Sequence, residues 1–414
     1  MRRIPKSWLL YHLDENLKEL YQKETIKPLI ESIDSFFLNL KSREFTEELI
    51  NFHHRIAIYT TYFLYKINFP TDKLAAGAFY NISQLKNAPK NLKRTFIKQF
   101  SNADLGLLND INRLAKLEII MPWRLDKRHN YKFVRDVFDK IQIRAIYDEA
   151  EIHLQSSISH EEQLENHRKC FLASTNSIES IFVKLVDRLA VLKCFHDEMY
   201  PLLKIDNYLK ENIAHETLNI HAKLADYLGV GHIKWQLEDA AFRILNPAKY
   251  DEIREFIQYN RTSRESYLEK VIKCIQERVK KLNIHAVVEG RAKHIYSVYK
   301  KMLQRNFDLD EMNDLLGIRI IIDGESEREN TKKCYHVLKN LHSLWKPISG
   351  VYDDGNLFVD WIKSPKSNNY RSIHTTVACE KNGIIDKELK LEVQIRTRRM
   401  HEDAMYGAAS HWIY

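Results

Sequence analysis

The sequence predicts a multidomain chain whose N-terminal half is all-α and whose C-terminal third is α/β with a mixed sheet, on three observations. At 414 residues the chain exceeds what one hydrophobic core accommodates. From Trp8 to about Leu245 apolar residues recur at helical spacing with almost no glycine. Short apolar or alternating runs, the mark of strands, gather only after residue 314.

Turn signals interrupt the helical half near residues 69–71, 88–89, 121–122 and 200–201. The segment 214–245 reads as two helices joined through Gly229 to Gly231, and a long helix follows from Tyr250 to about Leu282. LLGIRIIID at 315–323 is short, apolar and rich in Ile, as a buried strand is. YRSIHTTVACE at 370–380 and LKLEVQIRT at 389–397 alternate with period two, and a helix is expected at 400–406. The resulting division is 1–200, a connecting helical region 201–245, and 246–414.

With 44% hydrophobic and 29% charged residues the chain is expected to fold rather than remain disordered. No apolar run approaches the roughly 18 residues of a membrane span, and the first residues lack a signal-peptide pattern, so no membrane partner is expected and the cytoplasm is the expected compartment. Five scattered cysteines form no CxxC pair, which argues against a structural zinc or a disulfide framework. A net charge of +8 suits anionic small molecules or nucleic acid without choosing between them.

Three segments carry candidate chemistry. In GRAKHIYSVYKKM at 290–302, Ile295, Val298, Tyr299 and Met302 form one helical face, leaving Lys293, Ser297, Lys300 and Lys301 opposite. Gly290 is expected at the start of that helix, with Arg291 and Lys293 as phosphate donors. Alone, the segment reads as an amphipathic helix with a solvated face. In LEVQIRT, Glu392, Gln394 and Arg396 share the face opposite Leu391, Val393 and Ile395. Asp314, at the entry to the first strand, is placed to join Glu392 as a paired-carboxylate Mg²⁺ site, or both are ordinary surface acids. Tyr370, Ser372, His374 and Thr376 share a strand face behind the loop SPKSNN at 364–369, where Tyr370 is suited to stack a purine and Lys366 to neutralise phosphate.

In this order, GRAKHIYSVYKKM, DLLGIRIIID, CYHVLKNLHSLWKPI, SPKSNNYRSIHTTV and LEVQIRTRRMHEDAMYGAASHW resemble the synthetase domain of the long RelA/SpoT homologues, the (p)ppGpp enzymes of the stringent response. The resemblance implies a nucleotidyltransferase-like fold that moves the β,γ-diphosphate of ATP to the 3′-hydroxyl of GDP or GTP. It implies that Asp314 and Glu392 hold Mg²⁺, with Glu392 also placed to deprotonate the 3′-hydroxyl. Arg291, Lys293, Ser297 and Lys301 would hold the ATP phosphates. Tyr370 would stack on guanine, and Lys366, Asn368, His374, Gln394 and Arg396 would line the acceptor and the transferred group. Long members continue into a regulatory half that contacts the ribosome, so ribosome or tRNA is an implied partner through such a C-terminal region. One loop departs from the family: where relatives carry a charged pair before the Asp-aromatic-Ile segment, here Asp360, Trp361 and Ile362, this chain has Leu357, Phe358 and Val359. The charge rule for GDP-versus-GTP preference therefore does not apply.

The first domain of bifunctional relatives is an HD-type Mn²⁺-dependent hydrolase. Here HHRIAIYTTYFLYKINFPTDKLAAGAFYNI at 53–82 keeps the family's spacing, but the His-Asp pair falls on Tyr80 and Asn81. Of four ligand positions only His54 and Asp187 match, so Mn²⁺ is not expected and a pseudo-hydrolase with a structural or regulatory role is. Two rival readings remain: the acceptor is the 3′ end of tRNA, or the protein is a non-enzymatic nucleotide sensor.

Overall fold

A computed structural model describes residues 20–40, 47–85, 88–98, 102–115, 177–196, 207–305, 316–348, 356–379 and 389–407, with a few single positions between them. The described residues fall into two compact units, one drawn from 1–224 and 236–245, the other from 225–235 and 246–410.

The first unit is helical: α1 (Lys27–Leu38), α2 (Glu47–Lys66), α3 (Leu74–Gln84), α4 (Lys90–Ile97), α5 (Asn102–Ala115), α6 (Ile178–His196) and α7 (Asn207–Glu216), which runs on through a π turn at Thr217–His221. α6 is buried at every position from Ser180 through Leu192, and a helix buried all round lies at the centre of its unit. α2 and α3 pack beside it. α8 (Ala222–Tyr227) and α9 (Gly231–Leu245) contribute residues to both units, and the break between them falls where the Gly229 to Gly231 signal places it.

The second unit holds a mixed sheet of β1 (Ala286–Ala292), β2 (Leu316–Ile322), β3 (Lys346–Pro347), β4 (Phe358–Asp360), β5 (Ile373–Cys379) and β6 (Leu389–Thr397). Its order is β1-β2-β6-β5-β3, with β4 also on β5; β2 and β6 run parallel and the other pairs antiparallel. α10 (Pro247–Lys281) and α12 (Glu327–Leu344) bury one face. Val271, Ile275 and Val279 from the first, and Cys334, Val337 and Leu341 from the second, share a core with Ile318, Ile320, Val393 and Ile395. Each fully buried Ile there contributes about 2 kcal/mol. Polar residues mark the helix starts. Asn246 accepts from Lys249 N before Pro247, and Ser326 accepts from Glu329 N in a Ser-x-x-Glu pattern.

The remaining helices are α11 (Ile295–Arg305) and α13 (Arg398–Tyr406), the latter capped by Thr397. α11 starts later than the sequence predicts, because Gly290 and Arg291 belong to β1. Gly290 is small for packing rather than for ligand approach: a Cβ there would lie 2.8 Å from Leu268 Cδ2 on α10. Tyr370 and Ser372 likewise precede β5 instead of lying within it.

After α13 the chain turns at Gly407, whose φ of 51° is left-handed and whose added Cβ would strike Leu228 O. Gly229, at φ 71°, faces it with a Cβ position 3.4 Å from Gly407 Cα. Gly407→Ala is therefore expected to destabilise the unit by about 2 kcal/mol, read as a lowered urea midpoint at unchanged m-value.

Candidate functional site

The sheet of the second unit has one apolar face and one polar face, because period two sends alternate residues of each strand to opposite sides. Register then lines the polar residues into rows. Arg291, Gly317, Glu392 and Thr376 form one, and Glu289, Arg319, Gln394 and His374 the next. Neither row is visible in any single segment of sequence.

Glu392 is the hub. Its Oε2 lies 3.5 Å from Lys293 Nζ and 3.9 Å from Arg291 Nη1, and its Oε1 lies 3.5 Å from both His374 Nδ1 and Gln394 Nε2. Burial pushes the carboxyl upward, but the bond from His374 and the charges of Lys293 and Arg291 outweigh it and hold the group well below the usual carboxylate range. Burial lowers His374, against the pull of Glu392. The Tyr370 hydroxyl lies 2.8 Å from His374 Nε2. A neutral imidazole with its proton on Nδ1 satisfies both contacts, accepting from Tyr370 and donating toward Glu392.

The Tyr370 ring is flanked by cations, with Lys366 Nζ 5.4 Å and the Arg396 guanidinium carbon 5.9 Å from its centroid. Arg396 is buried and donates from Nη2 to His401 Nδ1 at 2.8 Å. Burial and the neighbouring Arg396, Arg319 and Arg398 push His401 down to about 3, which keeps it a neutral acceptor. Asn368 is engaged at both ends of its amide: Nδ2 donates to Asp226 Oδ1 at 3.1 Å and Oδ1 accepts from Tyr370 N at 3.2 Å. Ser297 and Lys301 lie half-buried on α11. Asp314 lies outside the described residues, as do Asp353 and Asp354. The structure therefore brings Glu392, Arg291, Lys293, His374, Gln394, Tyr370, Lys366 and Arg396 to one face.

In the helical unit, Tyr80 and Asn81 on α3 meet Lys184 and Asp187 on α6, all of them buried. Lys184 Nζ donates to the Tyr80 hydroxyl at 2.6 Å and lies 3.7 Å from Asp187 Oδ2. Asn81 Nδ2 donates to Asp187 Oδ1 at 3.4 Å, and His53 Nδ1 lies 3.4 Å from Asn81 Oδ1. Burial lowers His53 to about 4, against the Asn81 bond. His54 turns its Nε2 to Asp34 Oδ1 at 2.9 Å, and the Tyr21 hydroxyl also donates to that oxygen. Among the described residues no group of three or more His, Cys, Asp or Glu side chains is arranged to hold a metal ion.

Comparison with known proteins follows the same division. The model described as "Region found in RelA / SpoT proteins" matches residues 290–414, and an HD domain model matches 51–231. Residues 290–414 are thus similar to the RelA/SpoT region and residues 51–231 to an HD domain. The chain is 40% identical over 254 residues to a guanosine-3′,5′-bis(diphosphate) 3′-pyrophosphohydrolase of Aquifex aeolicus (strain VF5), covering 61% of this chain and 33% of that protein. It is 39% identical over 252 residues to a GTP pyrophosphokinase of Streptomyces coelicolor, covering 61% of this chain and 27% of that protein. The GTP pyrophosphokinase of Escherichia coli (strain K12) is 35% identical over 253 residues, 61% of this chain and 31% of that protein. The matched segment thus spans about a third of the length of these relatives. Among solved structures, the small alarmone synthetase 1 of Bacillus subtilis bound to its product pppGpp is a distant likeness, with 23% identity, a TM-score of 0.26 and coverage of 36% of this chain and 76% of that one.

In the second unit, sequence reasoning passed over Arg319, Glu289 and His401. Arg319 and Glu289 form an ion pair at 2.8 Å within the Gln394 row. An arginine inside an otherwise apolar strand was the available signal for the first. His401 had none, since its role depends on the approach of Arg396. In the helical unit the overlooked residues are His53, Asp34 and Lys184. No helix among the described residues is long and apolar enough to cross a membrane.

Because the folded-state value of Glu392 is depressed below the unfolded one, about 4.3, its stabilising contribution is complete above that pH and lost as the pH falls through the folded value. Urea unfolding of the wild type and Glu392→Gln is expected to give a stability difference that stays constant down to about pH 5 and then moves in favour of the variant.

Proposed function

We propose that the RelA/SpoT region transfers the β,γ-diphosphate of ATP to the 3′-hydroxyl of GDP or GTP, and that the HD domain has lost hydrolysis. The observation that carries the first reading is the ionised Glu392 set among Arg291, Lys293 and His374 beside the Tyr370 ring.

A carboxylate held ionised suits a hard divalent cation, and Glu392 with Asp314 would hold Mg²⁺, which supplies neutralisation of phosphate oxygens when bound. Phosphoryl transfer asks mainly for positioning and charge neutralisation. Arg291 and Lys293 are turned toward Glu392 here, and incoming ATP phosphates would draw them away as stronger, multiply charged acceptors. Ser297 and Lys301 on α11 would add further donors to those phosphates. Glu392 would also take the 3′-hydroxyl proton, with His374, neutral and oriented by Tyr370, beside it. Guanine would stack on Tyr370, and Lys366, Gln394 and Arg396 would lie around the acceptor.

In the HD domain the donor set does not fit Mn²⁺. Tyr80 offers a phenol already bonded to an ammonium, Asn81 an uncharged amide, and Asp187 a carboxylate with Lys184 beside it. A divalent cation there would meet that ammonium at close range.

Incubation of the purified chain with ATP and GDP or GTP, resolved by ion exchange, is expected to yield the 3′-diphosphorylated product. Transfer to tRNA alone, or nucleotide binding without turnover, would sink the reading. Glu392→Gln and Asp314→Asn are each expected to lower kcat by at least about 100-fold. Tyr370→Ala is expected to raise the acceptor KM roughly tenfold, the value of one base–aromatic stack. Incubation of (p)ppGpp with Mn²⁺ is expected to release no pyrophosphate.

A further inference from the structure

The loop at 364–370 is held from a distant part of the sequence. Asp226, on α8, accepts from Asn368 Nδ2 at 3.1 Å, although 142 positions separate the two residues. The other oxygen of Asp226 pairs with Lys234 Nζ at 2.9 Å, which fixes the carboxylate in its plane. All of these residues belong to the second unit.

What Asp226 fixes is the orientation of one amide. With Nδ2 committed to Asp226, Asn368 Oδ1 points back to its own loop and accepts from Tyr370 N at 3.2 Å. That bond, with Lys366 N donating to Tyr370 O at 3.3 Å and Asn369 N to Lys366 O at 2.9 Å, closes the turn. Asn369 takes the left-handed conformation at φ 60°, which Asn tolerates. The turn sets where the Tyr370 ring stands, and its hydroxyl then reaches His374. The backbone reinforces the grip: a Cβ on Gly229 would lie 3.3 Å from Asn368 O, so the segment after α8 lies directly against the loop.

We propose that Asp226 is a positioning residue for the acceptor nucleotide, acting through the Asn368 amide to hold Tyr370 in place. Asn368 on this view orders the loop and does not itself bind the acceptor. The inference rests on the reading that Tyr370 meets the acceptor base, and it predicts an effect confined to that substrate. A loop that must be ordered on each binding event weakens binding without altering the step that follows.

The test is steady-state kinetics of the full chain with ATP and GDP, together with calorimetric GDP binding. Asp226 is 41% exposed, so its replacement is not expected to compromise folding. Asp226→Ala is expected to raise the GDP KM and Kd about tenfold, leaving kcat and the ATP KM within about twofold. Asp226→Asn, whose carbonyl still accepts from Asn368, is expected to restore most of the loss. Asn368→Ala and the Asp226→Ala/Asn368→Ala pair are expected to show the same shift as each other, since the first residue acts through the second. An unchanged GDP KM in an active Asp226→Ala protein, equal losses for both substrates, or additive single effects would overturn the inference alone. A wild type that neither binds GDP nor makes product would overturn the functional reading and this inference with it.

Discussion

The second unit is organised around one carboxylate kept ionised where burial opposes it. Glu392 sits mid-strand on β6 with neighbours on both sides, and desolvation at such a place favours the neutral acid. Lys293, Arg291 and His374 reverse that preference, so each of them is in turn held by Glu392. This mutual restraint brings the end of β1, the loop before α11 and the start of β5 to one point. The Tyr370 hydroxyl on His374 carries the restraint outward to the loop at 364–370.

The helical unit solves a related problem by other means. One cluster of its buried polar side chains lies between α3 and α6, where an unpaired Asp187 would be costly. Lys184, Tyr80 and Asn81 all turn toward that carboxylate or toward one another. Charge balance is thus reached among the side chains themselves. The two units show one physical rule with opposite outcomes. On the sheet the cations around Glu392 stay partly exposed, whereas around Asp187 the cation is sealed in the core.

Much of this was legible in the sequence. The strands at β2, β5 and β6 were readable because a half-buried strand alternates and a fully buried one is apolar throughout. The α9 start was readable from its glycines. Elsewhere local signals competed. Gly290 was read as a helix start because glycine serves both as a helix-flanking residue and as a gap for a close neighbour, and only the presence of Leu268 distinguishes the two. β1 was hidden because AVVEGRA has neither a clean period-two alternation nor a sustained apolar run. Tyr370 was placed on β5 by extending the alternation upstream, where the turn through Asn368 and Asn369 ends it.

By itself the sequence determined the helical-then-α/β order and which residue types stand opposite the apolar face of each strand. These follow from periodicity and spacing, which are properties of neighbours along the chain. Tertiary structure alone decided which strands lie side by side, so that Glu392 falls between Arg291 and His374. It also decided that His53 rather than His54 joins Asn81, and that Asp226 reaches Asn368. Those outcomes depend on register and on helix rotation, and each contact joins groups far apart in the chain whose meeting no local pattern encodes.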